Sequence, residues 1–285
     1  MELKTVLFEV RDGIATITLH RPARLNAWTG RMHHEYRWCL EQSEQDRDVG
    51  IIVVTGSGRG FCAGADARAL EGHVAKGGYD PGTPDVMPSP GFGTEVEFDA
   101  DFAYHFGLSK PVIAAVNGAA AGVGLVLACY ADLRFAAQGA KLTTAHGKLN
   151  LPAEYGLSWL LPRMIGLTRA NELLLSSRVF LAEEALELGL LNRVLPAEEL
   201  LPFTYRYAHD LMESVSPGAL RETKRQIYRD LHRNVAESVR ASKLRLDEMM
   251  READFAEGVA AFTEKRKPKW TGRDRSGRDR SGRPH

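Results

Sequence analysis

Two stretches of the chain put glycine and alanine where main chain must come close to something else. They are Gly60-Phe61-Cys62-Ala63-Gly64-Ala65-Asp66 and Asn117-Gly118-Ala119-Ala120-Ala121-Gly122-Val123-Gly124. Small residues let a ligand reach backbone atoms, and each stretch stands just before a segment expected to be helical. There the free N–H groups and the positive end of the helix dipole face outward. Two such helix starts aimed at one point would bind one developing oxyanion. The same glycines also fit a plainer role, allowing tight turns and close packing of helix on strand. For one stretch the plainer role is the better reading; two at corresponding points of a repeated unit shift the balance towards chemistry.

The elements that must hold these stretches follow from hydrophobic patterning. Val6–Val10 and Ile14–Leu19 flank Arg11-Asp12-Gly13, a hairpin signal. A helix is expected from Thr29 to about Ser43, then a buried strand at Ile51–Thr55, and a helix beginning near Asp66. Residues 77–93, dense in glycine and proline, read as a mobile surface loop. A strand at Val112–Val116, a helix from about Gly124 and a strand at Leu133–Ala136 come next. From Leu157 the pattern turns helical: 157–165, 169–176, 182–188, 198–214, 218–231 and 235–251. The expected class is α/β in front and mostly helical behind.

Composition excludes several classes. At 285 residues, 44% hydrophobic and 26% charged, the chain can bury a sizeable core without disulfides or metals. Lys plus Arg and Asp plus Glu are 37 each, so no global field draws it to nucleic acid. The basic element is the repetitive end, Arg273–His285, with five arginines and two aspartates; without an apolar residue to bury it is expected to be disordered. Cys39, Cys62 and Cys129 stand far apart with no CxxC pair, which argues against a zinc ribbon and suits a reducing compartment. The start Met1-Glu2-Leu3-Lys4 has no apolar leader, so a cytoplasmic protein is expected. Residues 111–131 carry no charge, but Pro111, Asn117, Gly118, Gly122 and Gly124 interrupt them, so buried strand, turn and helix are expected rather than a membrane span.

Read for motifs, the chain resembles the crotonase (enoyl-CoA hydratase/isomerase) superfamily. Phe61-Cys62-Ala63-Gly64-Ala65-Asp66 is similar to that family's FCAGAD segment, and Lys110–Gly118 to its KPVIAAVNG strand. Further likenesses are Arg178–Ala185 with Leu188-Gly189-Leu190, and Glu257–Lys267. They run in order from about residue 5 to Trp270. The resemblance implies a spiral of ββα repeats with the site over residues 1–200, a helical oligomerisation region over 201–270 that packs trimers or dimers of trimers, and the basic tail at 271–285. It implies an acyl-CoA substrate, no separate cofactor (coenzyme A arrives as part of the substrate), no metal and no membrane or nucleic-acid partner. It carries the oxyanion hole over to the backbone amides of Ala65 and Val123. Substrate contacts carry over to Ala63, Gly64, Asp66, Gly122, Phe262 and Lys265, the last two from the C-terminal region and within reach of a subunit boundary; Asp66 reads more simply as a helix cap and Phe262 as core. Trp270, Arg24 and His33 read as surface or packing.

The acid–base group departs from the family's hydratases. Their two glutamates fall on Val126 and His146 here, so both carboxylates are missing. Glu154, eight residues after His146, coincides instead with the single acidic position of peroxisomal-type enoyl-CoA isomerases, of 4-chlorobenzoyl-CoA dehalogenase and of 3-hydroxyisobutyryl-CoA hydrolases. One carboxylate suffices to take a proton from one carbon and return it at another, while hydration needs a placed water and a donor. Leu157, Trp159 and Val126 are candidates for the apolar surroundings that would raise its pKa. The resemblance therefore implies an enoyl-CoA isomerase/hydratase of fatty-acid or related acyl-CoA metabolism. The alternatives are a hydratase using Glu154 with His146, an acyl-CoA hydrolase, and a non-catalytic CoA- or RNA-binding relative. Glu154 could instead merely complement the helix dipole ahead of Leu157, and His146 is either a second acid–base group or part of the pocket wall.

Overall fold

A computed structural model describes residues 1–76 and 96–271; the expected loop at 77–93 and the basic tail from 272 lie outside the described residues. The chain opens with the antiparallel strands β1 (Val6–Arg11) and β2 (Ile14–Leu19). Asp12 and Gly13 both have positive φ, 50° and 80°, as a two-residue primed turn requires. Helix α1 (Gly30–Gln45) follows, capped by the Thr29 hydroxyl, which accepts from the Met32 amide at 3.2 Å.

The next segments repeat one unit. Strand β3 (Ile51–Gly56), strand β4 (Gly60–Cys62) and helix α2 (Ala67–Lys76) make its first turn. After the short helix α3 (Tyr104–Gly107), β5 (Val112–Val116), β6 (Ala119–Ala121) and α4 (Val123–Tyr130) make the second. Strands β7 (Leu133–Ala137) and β8 (Lys141–Thr143) begin a third, which continues through 3-10 turns at His146–Leu149 and Glu154–Gly156 into α5 (Leu157–Ile165) and α6 (Leu167–Ser176). Strand β9 (Phe180–Leu181), α7 (Ala182–Glu187) and β10 (Arg193–Leu195) close the α/β part; α8 (Ala197–Ser214), α9 (Pro217–Asp230), α10 (Val235–Met249) and α11 (Ala253–Glu264) complete it.

The first strand of each unit adds to one sheet, ordered β1-β2-β3-β5-β7-β10 and parallel from β2 onward; the second strands build a small sheet, β4-β6-β8-β9. Each turn of chain is thus stacked on the one before, the expected spiral. The central strands β3 and β5 are buried on both faces, hence their continuous apolar runs. Ile51, Val53, Ile113 and Phe135 meet Leu200, Ala208 and Met212 of α8, while Ile52, Val54, Val112 and Ala114 face the main core. Helix α8 straddles residue 200 and forms a layer of this core.

Several elements escaped the sequence reading. Strands β4, β6 and β8 have three residues each, too short to show a period, and β4 and β6 sit in the glycine-alanine stretches, so they read as loop. Strand β10 lies inside the part read as wholly helical. Helix α11 lies beyond the last helix read from the sequence, 235–251. The uncharged run 111–131 divides into β5, β6 and α4, and no helix among the described residues is long and apolar enough to cross a membrane.

Candidate functional site

The site is built from the crossovers between the two sheets. After β4, the first glycine stretch is pinned to residues 25–28. Leu25 accepts from the Ala63 amide at 3.0 Å, Gly64 accepts from the Trp28 amide at 2.8 Å, and the Asp66 amide donates to Trp28 at 3.0 Å. This is a parallel bridge between Trp28 and Ala65. In such a bridge the partner's neighbours make the hydrogen bonds, so the N–H of Ala65 itself faces away from Trp28. It meets no backbone acceptor among the described residues, and Ala65 is exposed.

Buried Asn26 holds the approach to this stretch: its side-chain amide donates to Gly60 at 2.8 Å and Ser57 at 3.0 Å, and its oxygen accepts from the Arg21 amide at 2.8 Å. The Arg21 guanidinium also pairs with Asp66 at 2.8 Å. That ion pair ties Asp66 to the scaffold beside its place ahead of α2. Cys62, though within the motif, is no nucleophile, because complete burial pushes its thiol up to about 12.

The second stretch turns at Gly122, with φ 49° and ψ −121°, a conformation L side chains avoid. Its amide donates to Thr143 at 3.1 Å, and its carbonyl accepts from Val126 at 3.0 Å as α4 begins. Val123, the first residue of α4, has an N–H with no backbone acceptor among the described residues. The two stretches touch. A Cβ on Gly124 would fall 2.0 Å from the Cys62 carbonyl oxygen, and one on Gly64 would fall 3.2 Å from that of Ala121.

Glu154 completes the cluster. A Cβ placed on Gly122 would stand 4.0 Å from a Glu154 carboxylate oxygen, 4.0 Å from the Gly64 Cα and 4.0 Å from the Thr144 carbonyl oxygen. The two glycine stretches and the carboxylate therefore border one small gap. Burial raises the Glu154 pKa above its ordinary value, and the charge of His146 pulls it back in part. His146 is buried in the first of these two 3-10 turns, its ring Nδ1 without a hydrogen-bond partner among the described residues. The Ser177 hydroxyl braces that turn, receiving the Thr144 hydroxyl at 3.1 Å and the Gly147 amide at 3.0 Å.

Of the other residues expected in the site, Ala63 lies within the pinned stretch. Val126 and Leu157 are buried and apolar, at the starts of α4 and α5. Trp159 is engaged elsewhere: it stacks on His232 with ring centres 5.5 Å apart and carries the Arg163 guanidinium over its face at 4.1 Å. Phe262 is 87% exposed, not core; it lines an apolar groove with Phe255, Val259 and Trp270 and does not join the Gly122–Glu154 cluster within one chain. Lys265 ends α11 in a left-handed conformation, exposed to solvent. No group of three or more His, Cys, Asp or Glu among the described residues is placed to hold a metal.

The sequence reading missed Asn26, Trp28 and Tyr130, which hold the cluster without belonging to a glycine motif.

Residues 9–273 match the enoyl-CoA hydratase/isomerase family. The chain is 35% identical to the 1,2-epoxyphenylacetyl-CoA isomerase of Escherichia coli K12, over 95% of this chain and all of that protein. It is 34% identical to a probable enoyl-CoA hydratase of Rhodobacter capsulatus, over 96% of this chain and all of that one. The crystal structure of a probable enoyl-CoA hydratase/isomerase from Mycobacterium abscessus superposes with a TM-score of 0.82 at 34% identity, covering 94% of this chain and 98% of that one. The spiral of paired strands and the order of the glycine stretches agree with a match of that extent: the chain belongs to the enoyl-CoA hydratase/isomerase (crotonase) family of enzymes.

Proposed function

We propose that this enzyme isomerises an unsaturated acyl-CoA thioester of fatty-acid or related acyl-CoA metabolism, with Glu154 moving the proton and the amides of Ala65 and Val123 receiving the enolate oxygen. The observation that carries the reading is the shared gap, bordered by Gly64, Gly122 and the Glu154 carboxylate. Removing a proton beside a thioester leaves charge on its oxygen, and a donor already aimed there is worth about 3 kcal/mol in other enzymes. Both proposed donors are main-chain groups without another backbone acceptor among the described residues. A carboxylate whose pKa is raised by burial is a stronger base than one in water. Apolar Val126 lies at one hydratase glutamate position, which leaves Glu154 as the carboxylate proposed to act, and one such group is enough for isomerisation. That a relative bears the name of an acyl-CoA isomerase supports the choice.

A second reading, hydration of a 2-enoyl-CoA by Glu154 with His146 assisting, is favoured by the unpartnered ring nitrogen of buried His146 and its electrostatic reach to Glu154. Assays with 3-enoyl-CoA and 2-enoyl-CoA, together with release of free CoA, separate these from a hydrolase. Turnover of the 3-enoyl substrate that Glu154→Gln abolishes is the expected result. Hydration of the 2-enoyl substrate as the dominant activity, lost on His146→Ala, would overturn the isomerase reading in favour of the second. Contacts of Phe262 and Lys265 with CoA belong to this proposal only as residues offered to a neighbouring subunit.

Self-association is part of the same reading. Val235, Val239 and Leu246 lie on one side of α10 and are exposed, and no residue of α10 is buried against its own chain. We infer that α9 to α11 pack between subunits, as a trimer or a dimer of trimers. The three thiols are buried and unpaired, which supports a cytoplasmic location.

A further inference from the structure

The turn that presents Glu154 is held in a conformation its own residues do not favour. Tyr155 has φ 49° and ψ 40°, Gly156 has φ 73° and ψ 14°, and the Leu157 amide donates to the Glu154 carbonyl. These are the angles of a type I′ turn with tyrosine at a position suited to glycine or asparagine. A bulky side chain there is strained and persists only where the surroundings impose it. Two contacts do so. The Tyr130 hydroxyl donates to the Tyr155 carbonyl oxygen at 2.7 Å, and the Phe102 ring meets the Tyr155 ring edge-on with centres 5.0 Å apart.

Tyr130 is the last residue of α4, and Val123 is the first. A side chain on a helix tilts back towards the N-terminus, so the hydroxyl reaches from the far end of α4 towards its start. One rigid helix of eight residues, roughly 12 Å long, therefore ties the proposed oxyanion donor to the turn carrying the proposed base. Gly156 lets the hydroxyl in, since a Cβ there would stand 2.9 Å from it. The hydroxyl stays a donor at any working pH, because burial raises its pKa to about 12.

We propose that Tyr130 is a positioning residue, whose hydroxyl holds the Glu154–Leu157 turn so that the Glu154 carboxylate stays beside Gly122. The inference rests on the role proposed for Glu154, and the test keeps the two apart. A misplacement of about 1 Å can lower turnover by up to about 10²-fold. Tyr130→Phe is expected to lower kcat on the 3-enoyl-CoA substrate about tenfold or more with KM changed less than about twofold, because the hydroxyl bonds the Tyr155 carbonyl and not a residue proposed to contact substrate. The same substitution in a Glu154→Gln background should leave the residual turnover unchanged, since no base remains to be placed. Gly156→Ala, which crowds the hydroxyl from the other side, is a second variant expected to show the kcat loss. Thermal melting of each variant confirms that the turnover is that of folded protein. Equal kcat losses from Tyr130→Phe in both backgrounds, or no loss in the wild-type one, would overturn the positioning role alone. Full turnover by Glu154→Gln by itself would overturn the base assignment and this role with it.

Discussion

At the scale of single residues, the group the proposal turns on is Glu154, a carboxylate half withdrawn from water with the charge of His146 partly offsetting the penalty. As the proposed general base it must be ionised. Its raised pKa therefore places the acidic limb of kcat/KM above the ordinary carboxylate value of 4.5, with activity falling as pH drops through it. A pH–rate profile that stays flat down to pH 4.5 would contradict this. The stability effect has the opposite sign. A carboxyl group with a raised folded-state pKa contributes stability in its protonated form and loses it as pH rises through that pKa. Glu154→Gln should thus melt no lower than the wild type at pH 7 while losing about 10²-fold to 10⁴-fold in turnover, the usual worth of a general base. Melting curves and steady-state rates on one preparation check both. That Glu154 stands where other branches of the family carry an acid was legible in the sequence. Its nearness to Gly122 was not, because 31 intervening residues and the turn at Tyr155 set it.

At the scale of elements, the small sheet matters more than its length suggests. Strands β4 and β6 pair in parallel, and this contact brings the two glycine stretches side by side. Gly124 is where the fit is tightest, because any Cβ would meet the fixed Cys62 carbonyl. Gly124→Ala is expected to cost about 1–3 kcal/mol by overpacking. It should also lower kcat/KM, since α4 can relieve the clash only by carrying the Val123 amide away from that of Ala65. A melting midpoint and kcat/KM both equal to wild type would show that the two stretches are not in contact. Strands β2, β3 and β5 announced themselves through apolar runs rich in β-branched residues, and α1 through the Thr29 cap. Strands β4, β6 and β8 could not do so. Three residues are too few to show a period, and their pairing is imposed by the stacking of successive turns of chain.

At the scale of the whole molecule, the C-terminal helices bury little against their own chain, and Phe262 stands almost fully exposed. Sedimentation is expected to give three or six times the 31.5 kDa chain mass, with Val239→Glu shifting it downward. The basic end is a separate matter. Removing residues 272–285 should leave acyl-CoA turnover within about twofold, because the body without it is net acidic and holds every proposed site residue. Salt-sensitive RNA binding that disappears with this truncation, alongside undetectable turnover before it, would favour a binding protein instead. The sequence by itself determined the longer strands β1, β2, β3, β5 and β7, most of the helices, the family, and which glycines sit at helix starts, because those depend on local patterning and on motif order. Tertiary structure alone decided that Gly64, Gly122 and Glu154 border one gap, that Trp159 and Phe262 face elsewhere, and that Tyr130 reaches the turn after Glu154. Those relations join residues tens of positions apart, and only the stacking of one chain turn on the next fixes their distances.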